Sequence, residues 1–271
     1  MRLYQGYIFD LDGTVYLGAK PLPTAVETIT ALRQLGAKTV FLSNKPIEPV
    51  SNYVEKLRSF GLPTLPGEVI NSAVVMARYL ARQSPGARLY VIGEPPLIEE
   101  LERAGLRVSQ DPRGVDYLIV SWDRQFNYQK IQDALIALKS GARFLATHPD
   151  RTCPVEGGEI PDAGAMIGAI EGVSGKKVDL VVGKPSPLTL EVALNYLGLP
   201  PEQCLMVGDR LETDIRMARE AGLDAALVLT GVTQATSLAN SPWSPTYVLT
   251  QLADLLPAEM PSGTLPQERR K

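Results

Sequence analysis

Along most of the chain, short apolar runs rich in Val, Ile, Leu and Tyr alternate with longer stretches of helical periodicity. Strands are expected at residues 7–9, 38–42, 88–92, 115–120, 143–146, 180–182, 205–207 and 226–229, with a last edge strand at 247–249. Helices are expected between them, near residues 24–36, 51–60, 72–82, 96–104, 128–139, 163–170, 187–196 and 214–221. The first helix opens on Thr24 and Glu27, spaced as in a capping box, and stops near Gly36. Such alternation predicts an α/β fold with parallel strands. The same grammar repeats within residues 84–177, which read as a self-contained α/β domain with few acidic motifs of its own. The last stretch, MPSGTLPQERRK, is polar and interrupted by Pro and Gly, and residues 261–271 read as a disordered tail.

The chain has 271 residues, of which 45% are hydrophobic and 21% charged, enough for two domains of ordinary globular composition. A formal net charge of -3 gives no basic excess for a nucleic acid, and no charge run suggests a membrane surface. No segment approaches the roughly 18 apolar residues of a membrane helix. The opening MRLYQGYIFDLDGT has no signal-peptide core. Cys153 and Cys204 lie far apart and outside any CxxC, so neither a disulfide scaffold nor a thiolate metal site is expected. Cys204, in an apolar run, reads as a buried thiol, and a reducing cytoplasm is the expected compartment.

Chemistry gathers where apolar strands end. Asp10-Leu11-Asp12-Gly13-Thr14 directly follows the first strand. In an open α/β sheet, ligands bind beyond the carboxyl ends of the strands. Two carboxylates one residue apart on extended chain point the same way. Together they suit a hard divalent cation, or a nucleophile paired with a proton carrier. Ser43-Asn44 ends the second strand and offers a hydroxyl and backbone amides to an anion. Gly183-Lys184-Pro185 follows another strand and supplies a point positive charge. Gly208-Asp209-Arg210, with Thr213-Asp214 behind it, adds two more acids. Asp214 sits where an acid also favours a helix dipole, so capping is its alternative role. Taken singly, Ser43-Asn44 and Gly183-Lys184-Pro185 read as polar turns, whereas Asp10-Leu11-Asp12 already favours chemistry. Jointly, four strand ends carry acid, hydroxyl, lysine and acid, the parts phosphoryl transfer requires.

In this order DLDGT, SN, GKP and GDR-x-x-TD resemble the haloacid dehalogenase superfamily of phosphatases, over nearly the whole chain. The strings Ala146-Thr147-His148-Pro149-Asp150 and Pro161-Asp162-Ala163-Gly164 resemble its subfamily IIA, the NagD, p-nitrophenyl phosphatase and AraL-like sugar phosphatases. The resemblance implies a Rossmann-like doubly wound parallel-sheet core, residues 1–80 and 178–260, with an inserted α/β cap of the C2 type at 81–177. It implies a Mg²⁺-dependent phosphatase acting on small phosphate monoesters through an aspartyl-phosphate. Asp10 is then the nucleophile and Asp12 the acid and base. Asp10, the Asp12 carbonyl and Asp209 hold Mg²⁺, and Asp214 holds metal-bound water or orients Lys184. Ser43, Asn44 and Lys184 bind the phosphate, and His148 and Asp150 face the substrate from the cap, with a polar loop residue packed beneath the cap as the equal alternative for His148. A homodimer through the cap is compatible with the same resemblance. One departure is Lys45 after Ser43-Asn44, read either as charge at the substrate mouth or as a solvated loop residue.

Other readings compete. Asp12 favours phosphate esters over carbon–halogen bonds, which need only the first acid. Between Asp10 and Ser43 there is room for one helix and one strand, so the helical cap of the mutases does not fit there. A phosphotransferase with the same intermediate is the alternative enzyme. A catalytically silent binding protein is the alternative outside enzymes, and retention of Asp10, Asp12, Lys184 and Asp209 argues against it. A lone histidine excludes a histidine-based zinc site.

Overall fold

The computed structural model describes residues 1–155 and 157–257, so the tail expected at 261–271 lies outside the described residues. The chain divides into two compact units, Met1–Leu42 with Val54–Val69 and Ala193–Lys271, and Ser43–Tyr53 with Ile70–Val192.

The first unit is built on a sheet of order Tyr247–Leu249, Asp224–Val228, Cys204–Gly208, Gly6–Asp10 and Lys38–Ser43. Its pairings from Tyr247–Leu249 through Lys38–Ser43 are all parallel. Gly6–Asp10 and Cys204–Gly208 are neighbours, with Phe9 opposite Val207, and every residue of both is buried. Strands enclosed on both faces read as unbroken apolar runs, as these do in the sequence. From Gly6–Asp10 the chain first extends the sheet on one side and only later on the other, so the strand order reverses at its carboxyl end. That is the crevice where open α/β sheets bind ligands. Tyr7 and Phe9 share one face of this strand, and Phe9 stacks on both Tyr7 and Phe41 at ring centroids of 5.9 and 6.1 Å. Burial pushes the Cys204 thiol up to about 11, which agrees with its reading as an inert core residue.

The second unit has its own parallel sheet, ordered Leu180–Val181, Arg143–Ala146, Tyr117–Val120, Arg88–Ile92 and Arg107–Val108. Trp122, Phe144, Leu118, Leu138 and Ile170 form its core, the last two carried by the helices Tyr128–Lys139 and Ala163–Ser174. A hairpin of Thr152–Val155 and Gly158–Pro161 is appended to it. Among the described residues no helix is long and apolar enough to cross a membrane.

Three expectations need correction. Thr24 precedes the helix Ala25–Gln34, but it has φ 65 and makes no side-chain cap bond. Its hydroxyl instead accepts the Ala253 N–H at 3.2 Å, so a tertiary contact replaces the capping box. The helix expected over 214–221 begins earlier and does not start as an α-helix. A π-type turn, Leu211–Ile215, precedes the short helix Arg216–Glu220, because both the Asp214 and Ile215 N–H groups return to the Arg210 carbonyl. Finally, Leu180–Val181 joins the sheet of the second unit, in register with Leu145 and Ala146. Lys184 therefore follows a strand of that sheet, not of the one that carries Asp10.

The aromatic stack anchors the strand that delivers Asp10. Phe9→Ala is expected to cost about 3–5 kcal/mol, measured as a lower urea midpoint in chemical unfolding.

Candidate active site

In the first unit three carboxylates meet. Asp10 ends its strand, Asp209 follows Cys204–Gly208 on the adjacent strand, and Asp214 reaches back from the π-type turn. One oxygen from each lies within 4.8 Å of the other two, and all three residues are buried. Asp209 and Asp214 are 1% and 0% exposed, which removes water as a screen between like charges. Asp209 Oδ2 accepts the Val232 N–H at 2.7 Å, and Asp214 Oδ2 accepts the Arg210 N–H at 3.2 Å. Asp214 thus caps the N–H of Arg210, the residue that opens the turn Leu211–Ile215, and the same carboxylate lies beside Asp10 and Asp209, so capping and clustering coexist.

The space around the acids is set by glycines. A Cβ on Gly13 would lie 2.5 Å from Asp209 Oδ2, one on Gly208 2.4 Å from Asp214 Cγ, and one on Gly231 2.0 Å from Asp209 Oδ2. Gly13 also has φ +86, open to glycine at little strain, and it turns the chain directly after Asp12. Asp12 itself is half-buried and bridges to Tyr16. The Thr230 hydroxyl donates to the Gly13 carbonyl at 2.8 Å and ties this turn to the loop after Asp224–Val228. The hydroxyls of Thr14 and Thr213 are buried beside these acids in sequence and have no hydrogen-bond partner. An oxygen-only donor set with three formal negative charges fits a hard divalent cation such as Mg²⁺, which offsets two of them.

The second unit gathers the other expected residues. Asn44 and Lys184 are 7% and 3% exposed. The Asn44 side chain contacts both main-chain groups of Lys184 and also Asp150. Ser43, the residue after Leu42, accepts the Lys45 N–H on its hydroxyl at 3.1 Å. Leu42 is the register partner of Asp10. Of the two readings of His148, its burial fits the loop residue packed into the interior. It is fully buried, with Nε2 at 2.7 Å from Asp162 Oδ1 and Nδ1 at 2.9 Å from the Thr147 hydroxyl. Both ring nitrogens are committed to the interior, and the same Asp162 oxygen accepts the Ala163 N–H at the start of a helix. Nearby, Asp123 pairs with Lys130 and Arg124 with Glu94, both within the unit. The Arg124 guanidinium holds the Glu94 carboxyl below its ordinary range.

Sequence reading found the three acids and missed what surrounds them. Gly231 and Val232 follow a fifth apolar strand, and a Thr-Gly pair directly after such a run was the available signal. Asp162 was visible only as part of a string, because its partner His148 is distant in sequence.

Comparison with known proteins gives concordant matches. A model described as haloacid dehalogenase-like hydrolase matches residues 7–107, and one described as HAD-hydrolase-like matches 181–255. The sugar-phosphatase AraL of Bacillus subtilis is 37% identical over 250 residues, 92% of this chain and 91% of that protein. A p-nitrophenyl phosphatase from Archaeoglobus fulgidus superposes with a TM-score of 0.88 at 38% identity, covering 93% of this chain and 98% of that one. A glycerol phosphate phosphatase from Mycobacterium tuberculosis, in complex with magnesium, gives 0.85 at 30% identity, with 93% and 76% covered.

Gly231→Ala tests the packing around Asp209 without removing a carboxylate. The added methyl must displace the Asp209 side chain, so affinity for Mg²⁺ in calorimetry is expected to fall about tenfold or more, roughly 1.4 kcal/mol.

Proposed function

The chain belongs to the haloacid dehalogenase-like hydrolases, in the NagD, p-nitrophenyl phosphatase and AraL-like branch, subfamily IIA, and on that footing we propose that it is a Mg²⁺-dependent phosphatase of small phosphate monoesters, sugar phosphates among them. The observation that carries the proposal is the buried meeting of Asp10, Asp209 and Asp214, with Asp12 two residues beyond Asp10. The sugar phosphatase and p-nitrophenyl phosphatase relatives support the substrate class, and the magnesium complex of the mycobacterial relative supports the metal.

Asp10, Asp209 and Asp214 would hold Mg²⁺, which when bound supplies positive charge against the phosphoryl oxygens. In the first step an Asp10 carboxylate oxygen attacks phosphorus, the ester P–O bond breaks, and Asp12 gives its proton to the departing alkoxide. In the second, Asp12 takes a proton from water as that water attacks phosphorus. The bond to Asp10 breaks, releasing inorganic phosphate and restoring both carboxyl groups. Lys184 contributes a fixed cation to the phosphoryl group, and the Ser43 hydroxyl a hydrogen bond. A half-buried position suits Asp12 to proton traffic, whereas deeper burial of Asp10 and Asp209 suits ligation.

Phosphate release is measured from p-nitrophenyl phosphate and a panel of sugar phosphates, with Mg²⁺ or EDTA. Wild type is expected to turn over only with the metal, and Asp10→Asn to lose turnover while keeping the fold, read as an unchanged far-UV circular dichroism spectrum. Ordinary turnover by Asp10→Asn contradicts the nucleophile assignment. Asp12→Asn should slow both half-reactions, by about 10²–10⁴-fold for the loss of one acid–base group.

A further inference from the structure

The Asn44 carboxamide is spent on the peptide groups of one residue. Its Oδ1 accepts the Lys184 N–H at 2.8 Å, and its Nδ2 donates to the Lys184 carbonyl at 3.0 Å. The same Nδ2 donates to Asp150 Oδ2 at 3.1 Å. A side-chain amide carries the donor and acceptor of a peptide group, so it can satisfy both main-chain atoms of a buried residue at once. Asn44 is itself held, since its carbonyl accepts the Ser72 hydroxyl at 2.5 Å. The approach also depends on the neighbouring glycine. Gly183 donates its N–H to the Thr147 carbonyl at 2.7 Å. A Cβ there would lie 2.4 Å from that carbonyl and 2.7 Å from Asn44 Oδ1.

We propose that Asn44 is the positioning residue of Lys184: by bracketing the lysine's N–H and C=O it fixes the base of a flexible four-carbon stem, and so where the ammonium group is delivered. A lysine places a point charge through rotatable bonds, so its aim is only as good as the anchoring of its main chain. Small misplacement of a charged group at a reacting centre is costly in rate. Through Asp150 the same carboxamide ties the loop Thr147–Asp150 to the lysine, which gives Asp150 an anchoring role in place of direct substrate contact. The inference rests on the phosphatase reading for what Lys184 does, and adds how the lysine is held.

The test is a double-mutant cycle of Asn44→Ala and Lys184→Ala, reading kcat and KM for p-nitrophenyl phosphate and the inhibition constant of inorganic phosphate. Each single variant is expected to weaken phosphate inhibition about tenfold or more. The double variant should be no worse than Lys184→Ala alone, because Asn44 acts through the lysine. A merely structural Asn44 would add its own loss in the lysine-free background, and additive losses overturn the proposal. If Asn44→Ala does not fold, the cycle is run with the neutral Asn44→Ser, which is too short to bracket both main-chain groups of Lys184 and adds no charge beside Asp150, with the same two outcomes. Phosphate inhibition unchanged in Lys184→Ala overturns the phosphatase role of the lysine, and this inference with it. Additivity overturns the inference alone.

Discussion

Three buried carboxylates within 4.8 Å of one another are the constraint on which the first unit is arranged. Like charges out of water repel strongly, so such a cluster persists only where the surroundings fix it and a proton or a cation relieves it. Two of the acids come from the carboxyl ends of adjacent parallel strands, and the third is turned back by a π-type turn. Gly13, Gly208 and Gly231 leave no volume for a side chain where they approach Asp209 and Asp214. The core stack of Tyr7, Phe9 and Phe41 holds the strand that ends in Asp10. Stability and chemistry thus share one strand, apolar along its length and acidic at its tip.

The second unit handles charge differently. Its sheet supplies rigid backbone, and the polar residues at its strand ends are satisfied mostly by one another. Asn44 meets Lys184 and Asp150, His148 meets Thr147 and Asp162, and Asp123 meets Lys130. Buried polar groups of this kind are stable when every member has a partner, and they then define one arrangement of the loops. In the proposed reaction this matters because a single lysine must deliver its charge without the fork geometry of an arginine.

Much of this was legible in the sequence, for identifiable reasons. A strand buried on both faces and ending in acid has no alternative periodicity, so Asp10 and Asp209 were read at the right strand ends. Tyr128–Lys139 and Arg143–Ala146 fell where the pattern changes from helical to extended. The failures involve distant partners. Thr24 and Glu27 have capping-box spacing, yet Thr24 is claimed by Ala253, 229 residues away, and adopts φ 65. Leu180–Val181 looks like any short apolar run, and only its pairing with Arg143–Ala146 shows which sheet it joins. The closeness of Gly231 to Asp209 is likewise a property of loop packing that no local pattern carries. His148 carries two readings in the sequence, and the partner that decides between them, Asp162, lies fourteen residues on.

The central claim is that Asp10 forms a covalent bond to phosphorus. It is tested most directly by quenching the enzyme during turnover of p-nitrophenyl phosphate with Mg²⁺ and reducing the acyl phosphate with borohydride. The chain is then sequenced by mass spectrometry. The account predicts homoserine at position 10 and at no other acid. An unmodified Asp10 under conditions of rapid turnover, or homoserine at another position, would contradict it.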